Sequence, residues 1–187
     1  MRNRFFGAIA LASAACSIPL LFADNQSGER EEEATTAAAP PVSVDEARGR
    51  ARLLHEVVRG SLQVMHRDFF DPDDRDRIPS SSLEDMFEAV EATHQVKLKW
   101  LGVNAKVMDV DHKAKDEFEK QAVAALSSGK REHESVEDGS FRFVGAIRLH
   151  NSCLKCHVPF RQSLETRFAG LSISIPIRPA TPDVTGE

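Results

Sequence analysis

Two alternating stretches near the end of this chain constrain its fold more than anything else in it. In SFRFVGAIRL (140–149), Phe141, Phe143, Ile147 and Leu149 fall on one side. In FAGLSISIPI (168–177), Leu171, Ile173, Ile175 and Ile177 alternate with Ser172 and Ser174. A period of two marks a strand with one buried face. Asp138-Gly139 joins the first stretch to KREHESVE (130–137) and signals a hairpin, because a two-residue turn of this kind needs two positive φ angles. Strands of this kind must bury their apolar side against another layer.

The preceding sequence supplies helices. Over 44–70, Ala47, Ala51, Leu54, Val58, Leu62, Met65 and Phe69 recur in steps of three and four, and Asp71-Pro72 ends the pattern. SSSLEDMFEAVEATH predicts a second helix, with Ser81 and Glu84 as a capping box and Leu83, Met86, Phe87 and Val90 turned inward. QVKLKWLGV alternates Val96, Leu98 and Trp100 with Lys97 and Lys99, as a half-buried strand does. HKAKDEFEKQAVAALSSG returns to helix, with Phe118, Ala122 and Ala125 inward and Gly129 as its stop. Helices followed mostly by adjacent strands predict an α+β fold, an antiparallel sheet with helices on one side.

The first 23 residues read as a secretory signal. Arg2 and Arg4 precede an almost wholly apolar run, and cleavage is expected after Ala23. Left uncleaved, that run is long enough to anchor the chain in a membrane, the one membrane contact expected. Residues 24–43, polar, alanine-rich and carrying Pro40-Pro41, read as a flexible linker. A domain over 44–180 and a short tail, 181–187, follow. The expected location is the periplasm. Removal of 1–23 leaves 22 Lys and Arg against 29 Asp and Glu, a net charge of −7. An acidic exported chain lacks the cations that neutralise phosphates, so no nucleic-acid partner is expected.

The mature chain then holds two cysteines, Cys153 and Cys156, in CLKCH. A disulfide scaffold needs more of them, and a structural zinc needs four ligands. Covalent haem uses every part of the motif. Each thiol can add to one porphyrin vinyl group, the two-residue spacer lets both sulfurs reach, and the adjacent imidazole of His157 lies under the iron as proximal ligand. Two other chemistries stay open. A C-x-x-C pair can exchange disulfides, normally at a strand-to-helix turn in a βαβ unit, which gives the alternative of a periplasmic thiol–disulfide oxidoreductase. A plain disulfide would close only a tiny loop and stabilise little.

SFRFVGAIRLHNSCLKCHVPF and AGLSISIPI together resemble the bacterial haem-binding PAS-like domain family, once catalogued as a domain of unknown function. RLLHEVVRGSLQVMHRDFF, VKLKWLGV and DVDHKAKDEFEKQAV extend the resemblance over about residues 45–178. It implies a PAS-like sheet with a long N-terminal helix, export, and one covalent haem c on Cys153, Cys156 and His157. Some relatives offer a cysteine from the N-terminal helix as second iron ligand, which this mature chain lacks.

Six other histidines are candidates for that place: His55, His66, His94, His112, His133 and His150. His133, among charges, is expected at the surface, His150 at a strand end, His112 in a hydrogen-bonding loop, and His94 at a helix end. His55 and His66 sit eleven residues apart, about 20° around a helix and about 16 Å along it, so one iron cannot take both. His66 is the expected distal ligand, because Phe69 and Phe70 follow it and can pack on a porphyrin. His55, with aliphatic neighbours, is the runner-up. Met65 lies on the packing stripe, and Arg142, Arg148 and Lys155 are candidates for propionate contacts. No catalytic triad, phosphate loop or carboxylate pair points to an enzyme. The expectation is an exported monohaem c-type protein for electron transfer or for redox or gas sensing. Its partners would be the haem-attachment machinery and a redox partner or small gas.

Overall fold

A long helix, α1 (Val44–Asp68), begins where Ser43 accepts a hydrogen bond from the Glu46 N–H at 3.2 Å. Asp45 and Glu46 in its first turn and Arg67 in its last complement the helix dipole. The computed structural model describes residues 41–71 and 78–178. The expected signal, the tail 181–187 and linker residues 24–40 lie outside them. The end of the expected linker belongs to the fold: Val42 is buried, bridges Ile177, and accepts the Arg178 N–H at 2.9 Å. The domain therefore starts earlier than residue 44. Among the described residues no helix is long and apolar enough to cross a membrane.

A second helix, α2 (Pro79–His94), begins with Pro79 at its first turn, and Ile78 caps it with no side-chain hydrogen bond. The capping box expected from Ser81 and Glu84 does not form, because both lie inside the helix. Proline, pre-set for a helical φ and lacking an N–H to satisfy, starts it instead. Leu83 and Phe87 are buried as expected, while Met86 is exposed.

Four strands, β1 (Lys97–Gly102), β2 (Glu132–Glu137), β3 (Ser140–Arg148) and β4 (Phe168–Pro176), form one antiparallel sheet in the order β1-β4-β3-β2. Asp138 at φ 50° and Gly139 at φ 71° make the expected β2–β3 turn. Register places Trp100 opposite Leu171 and Phe143 opposite Ile173. With Phe141, Ile147 and Ile175 they form one apolar face, on which Ala47, Ala51 and Val58 of α1 and Leu83 and Phe87 of α2 pack. Each large side chain buried there contributes about 1.5–3 kcal/mol. The Trp100 indole N–H donates to the Ser80 carbonyl at 3.1 Å, so its one polar atom is satisfied.

Helices are not confined to that face. A third helix, α3 (Glu117–Ser127), packs Phe118, Ala122 and Leu126 against Leu101 and Val144 on the other side of the sheet. Leu101 follows Trp100 directly and Val144 follows Phe143, so both point away from α1. These two out-of-phase apolar residues require the second layer. Glu119, on the buried side of α3, is held by Lys99 Nζ at 2.8 Å and the Lys115 N–H at 2.7 Å.

Candidate functional site

The motif lies on a one-to-two-turn helix, α4 (Asn151–His157), placed by β3, which ends at Arg148. The Leu149 N–H donates to the Arg167 carbonyl at 2.9 Å, tying the entry to the exit. The His150 carbonyl accepts the Cys153 and Leu154 N–H groups at 2.9 and 3.1 Å, and buried Leu154 anchors the helix. Cys153 and Cys156 are free thiols three residues apart, on one side of the helix. The surrounding strands are all antiparallel, so the βαβ setting of a disulfide exchanger is not what holds them.

His157 ends α4. Its Nδ1 lies 3.2 Å from the Lys106 carbonyl, and the Lys106 N–H donates back to the His157 carbonyl at 2.9 Å. A carbonyl only accepts, so Nδ1 carries a proton, and in the neutral tautomer this leaves the lone pair on Nε2. The same logic holds for His66, whose Nδ1 lies 3.1 Å from the Leu62 carbonyl. Burial pulls the His66 pKa down, the Leu62 carbonyl partly offsets this, and charge on His157 lowers it further. Beside them the Gln63 amide donates to Nε2 of His150 at 3.4 Å and joins α1 to α4. Phe70 packs on the His66 ring with centroids 5.1 Å apart.

His55 is placed elsewhere. It is buried against the middle of β3, edge-on to Phe143 at 5.9 Å between centroids and over Gly145. Burial lowers its pKa; the neighbouring Glu56 carboxylate and the backbone of Gly145 and Ala146 oppose that shift, and its Nε2 has no hydrogen-bond partner.

The remaining candidates take other roles. His112 Nε2 meets Glu84 Oε1 at 2.8 Å and braces its loop to α2. His133 is not at the surface as expected: it is half-buried against Phe118, centroids 5.3 Å apart, because α3 covers that side of the sheet. His94 is exposed at the end of α2, and Met65 packs on the core. Arg148 and Lys155 are exposed near the motif. Arg142 is not: it points to the α3 face, donating to Asp116 at 2.8 Å and lying 4.3 Å over the Phe118 ring. Sequence reasoning passed over Lys106, whose contribution is a backbone carbonyl that no side-chain pattern reveals. It also passed over Gln63, whose position one turn before His66 was a usable signal.

These residues fit a haem. Two thiols share a side, an adjacent imidazole has Nδ1 tied to a carbonyl, and α1, which carries a second such imidazole, touches the start of α4 through Gln63 and His150. Phe69, Phe160 and Leu164, at 77%, 88% and 91% exposure, leave apolar surface in the flanking segments for a porphyrin to cover. A bare metal ion has less support: among the described residues no group of three or more His, Cys, Asp and Glu is gathered to hold one.

The four-stranded antiparallel sheet, the helices on its two faces and the short C-x-x-C-H helix that follows central strand β3 together define a PAS-like α+β domain. Residues 40–168 match the model of the Tll0287-like family, and the chain belongs to that family. Among solved structures, the cyanobacterial haem protein Tll0287 superposes with a TM-score of 0.58 at 14% identity, over 76% of this chain and 100% of that one. No curated protein matches.

Proposed function

We propose that this chain is an exported, monohaem c-type protein that moves or senses electrons. In this proposal Cys153 and Cys156 hold the porphyrin through thioethers, His157 is the proximal ligand and His66 the distal one. The observation that carries it is the matched pair of imidazoles. Each has Nδ1 tied to a backbone carbonyl, at 3.2 Å for His157 and 3.1 Å for His66, which leaves Nε2 of the neutral ring as the donor to a metal. Tying the far nitrogen to an acceptor fixes ring orientation and raises the ligand's basicity. Membership of a family whose solved relative is a haem protein supports the same assignment.

The bound haem would supply one-electron iron chemistry. The chain's own residues set its conditions. Lys106 and Leu62 orient the two rings, Phe70 packs beside one of them, and Gln63 with His150 holds α1 against α4. Two imidazole ligands leave no open iron position, which favours electron transfer or redox sensing over gas binding. The apolar run at 5–23 supports export, where c-type haem is normally attached.

The test is a pyridine haemochrome spectrum followed by ferric spectra of His66→Ala and His55→Ala, each made with the attachment machinery. A covalent haem, low-spin in the wild type and in His55→Ala but high-spin in His66→Ala, is expected. A low-spin His66→Ala would remove His66 from the iron, and titratable thiols without pigment would favour disulfide exchange.

A further inference from the structure

The outer side of α1 carries an apolar stripe that the domain does not use. Leu53, Val57 and Val64 are 66%, 54% and 42% exposed. With Gly60 they run at steps of four, three and four, within about 60° of one another around the helix. Ala47, Ala51, Val58 and Met65, which face the sheet, lie on the far side of the cylinder. A Cβ added at Gly60 would meet nothing within 4 Å, so the stripe has an open notch at its centre. Three large apolar side chains in register on a solvent-facing helix are the pattern of a helix seam.

We propose that this stripe is a self-association surface on which a second copy of the chain packs its own α1 in antiparallel order. Antiparallel packing about a two-fold axis between Val57 and Gly60 sets each Val57 into the partner copy's Gly60 notch and each Leu53 against a Val64. A parallel pair would set notch against notch and leave a void, which close-packed interfaces avoid. The charges at the stripe's ends support the same order. Glu46 and Arg50, paired at 2.6 Å, cap one end, and Arg67 and Asp68, paired at 2.6 Å, cap the other. Antiparallel copies bring these two pairs together, with Arg50 beside the other copy's Asp68 and Glu46 within a turn of its Arg67. A two-fold contact uses the same patch on both copies, as this arrangement does. Because α1 also carries His66, each association would join two histidine-bearing helices.

Sedimentation of the full, haem-attached chain over a wide concentration range tests the proposal. A reversible monomer–dimer equilibrium is expected, weakened roughly tenfold or more in Val57→Glu, since a charge buried in the seam costs over 1.4 kcal/mol. The variant should keep the wild-type haem spectrum and melting temperature, because Val57 touches neither core nor motif. Mixing Leu53→Cys with Val64→Cys protein should give a crosslinked dimer that neither forms alone. A chain monomeric at every concentration, or a dimer indifferent to Val57→Glu, overturns the proposal. Crosslinking of Leu53→Cys with itself overturns the antiparallel order.

Discussion

Replacing Gly145 with alanine should undo the docking of α1 on the sheet, although the change adds one methyl group. A Cβ at this position would lie 2.3 Å from His55 Cδ2, 2.5 Å from Nε2 and 2.7 Å from Cγ. All three distances are far inside van der Waals contact. The ring cannot swing aside, since His55 is 8% exposed and packed edge-on against Phe143. The helix must lift or the strand must bend, and overpacking of this kind costs about 1–3 kcal/mol. The upper half of that range is expected, because three ring atoms clash at once. Glycine to alanine in a strand would otherwise stabilise by about 0.5–1 kcal/mol, so the sign itself is diagnostic. For a domain of this size, 3 kcal/mol lowers the melting temperature by roughly 10 °C. The assay is a double-mutant cycle by thermal or urea unfolding. Gly145→Ala should cost 2 kcal/mol or more, about the upper half of the overpacking range, in the wild-type background and close to nothing beside His55→Ala. An undiminished cost in the His55→Ala background would refute the reasoning.

Acid should weaken the same contact. The unfolded chain protonates His55 near its ordinary value of 6.5, while the folded chain resists because burial depresses the pKa. The histidine's contribution is therefore complete above about pH 6.5 and falls at up to about 1.4 kcal/mol per pH unit as the pH drops toward the folded value; His55→Leu should flatten that slope in melting curves taken across the window. Truncation before residue 41 should leave the melt unchanged, whereas removal of 41–43 as well should cost about 2–4 kcal/mol by losing buried Val42 and the Ser43 cap. Cys153→Ala with Cys156→Ala should abolish haem that survives denaturation, and a double variant retaining it on a denaturing gel would end the covalent assignment.

Much of the molecule is legible along the chain because it depends on local periodicity. The alternation of 140–149 and 168–177 gives β3 and β4 their buried face, and Asp138-Gly139 places the hairpin within a residue. The stripe from Ala47 to Met65 predicts α1. The start of α2 was legible too, but in Pro79 rather than in Ser81 and Glu84. Leu101 and Val144 carried a signal that alternation hides, since an apolar residue out of phase means a second layer.

The choice between His55 and His66 belongs to tertiary structure. Periodicity puts both on nearly the same side of α1, about 20° apart. What differs is what lies opposite each turn. At its middle the helix crosses β3 at Gly145, where a missing Cβ leaves a slot for the His55 imidazole. About two turns later it lies beside the start of α4, where Gln63 meets His150. Sequence determines which way a side chain faces around its own helix axis, through φ, ψ and the helical repeat. The crossing of α1 over the sheet depends on packing between elements far apart in the chain, and that crossing decides which histidine the core encloses.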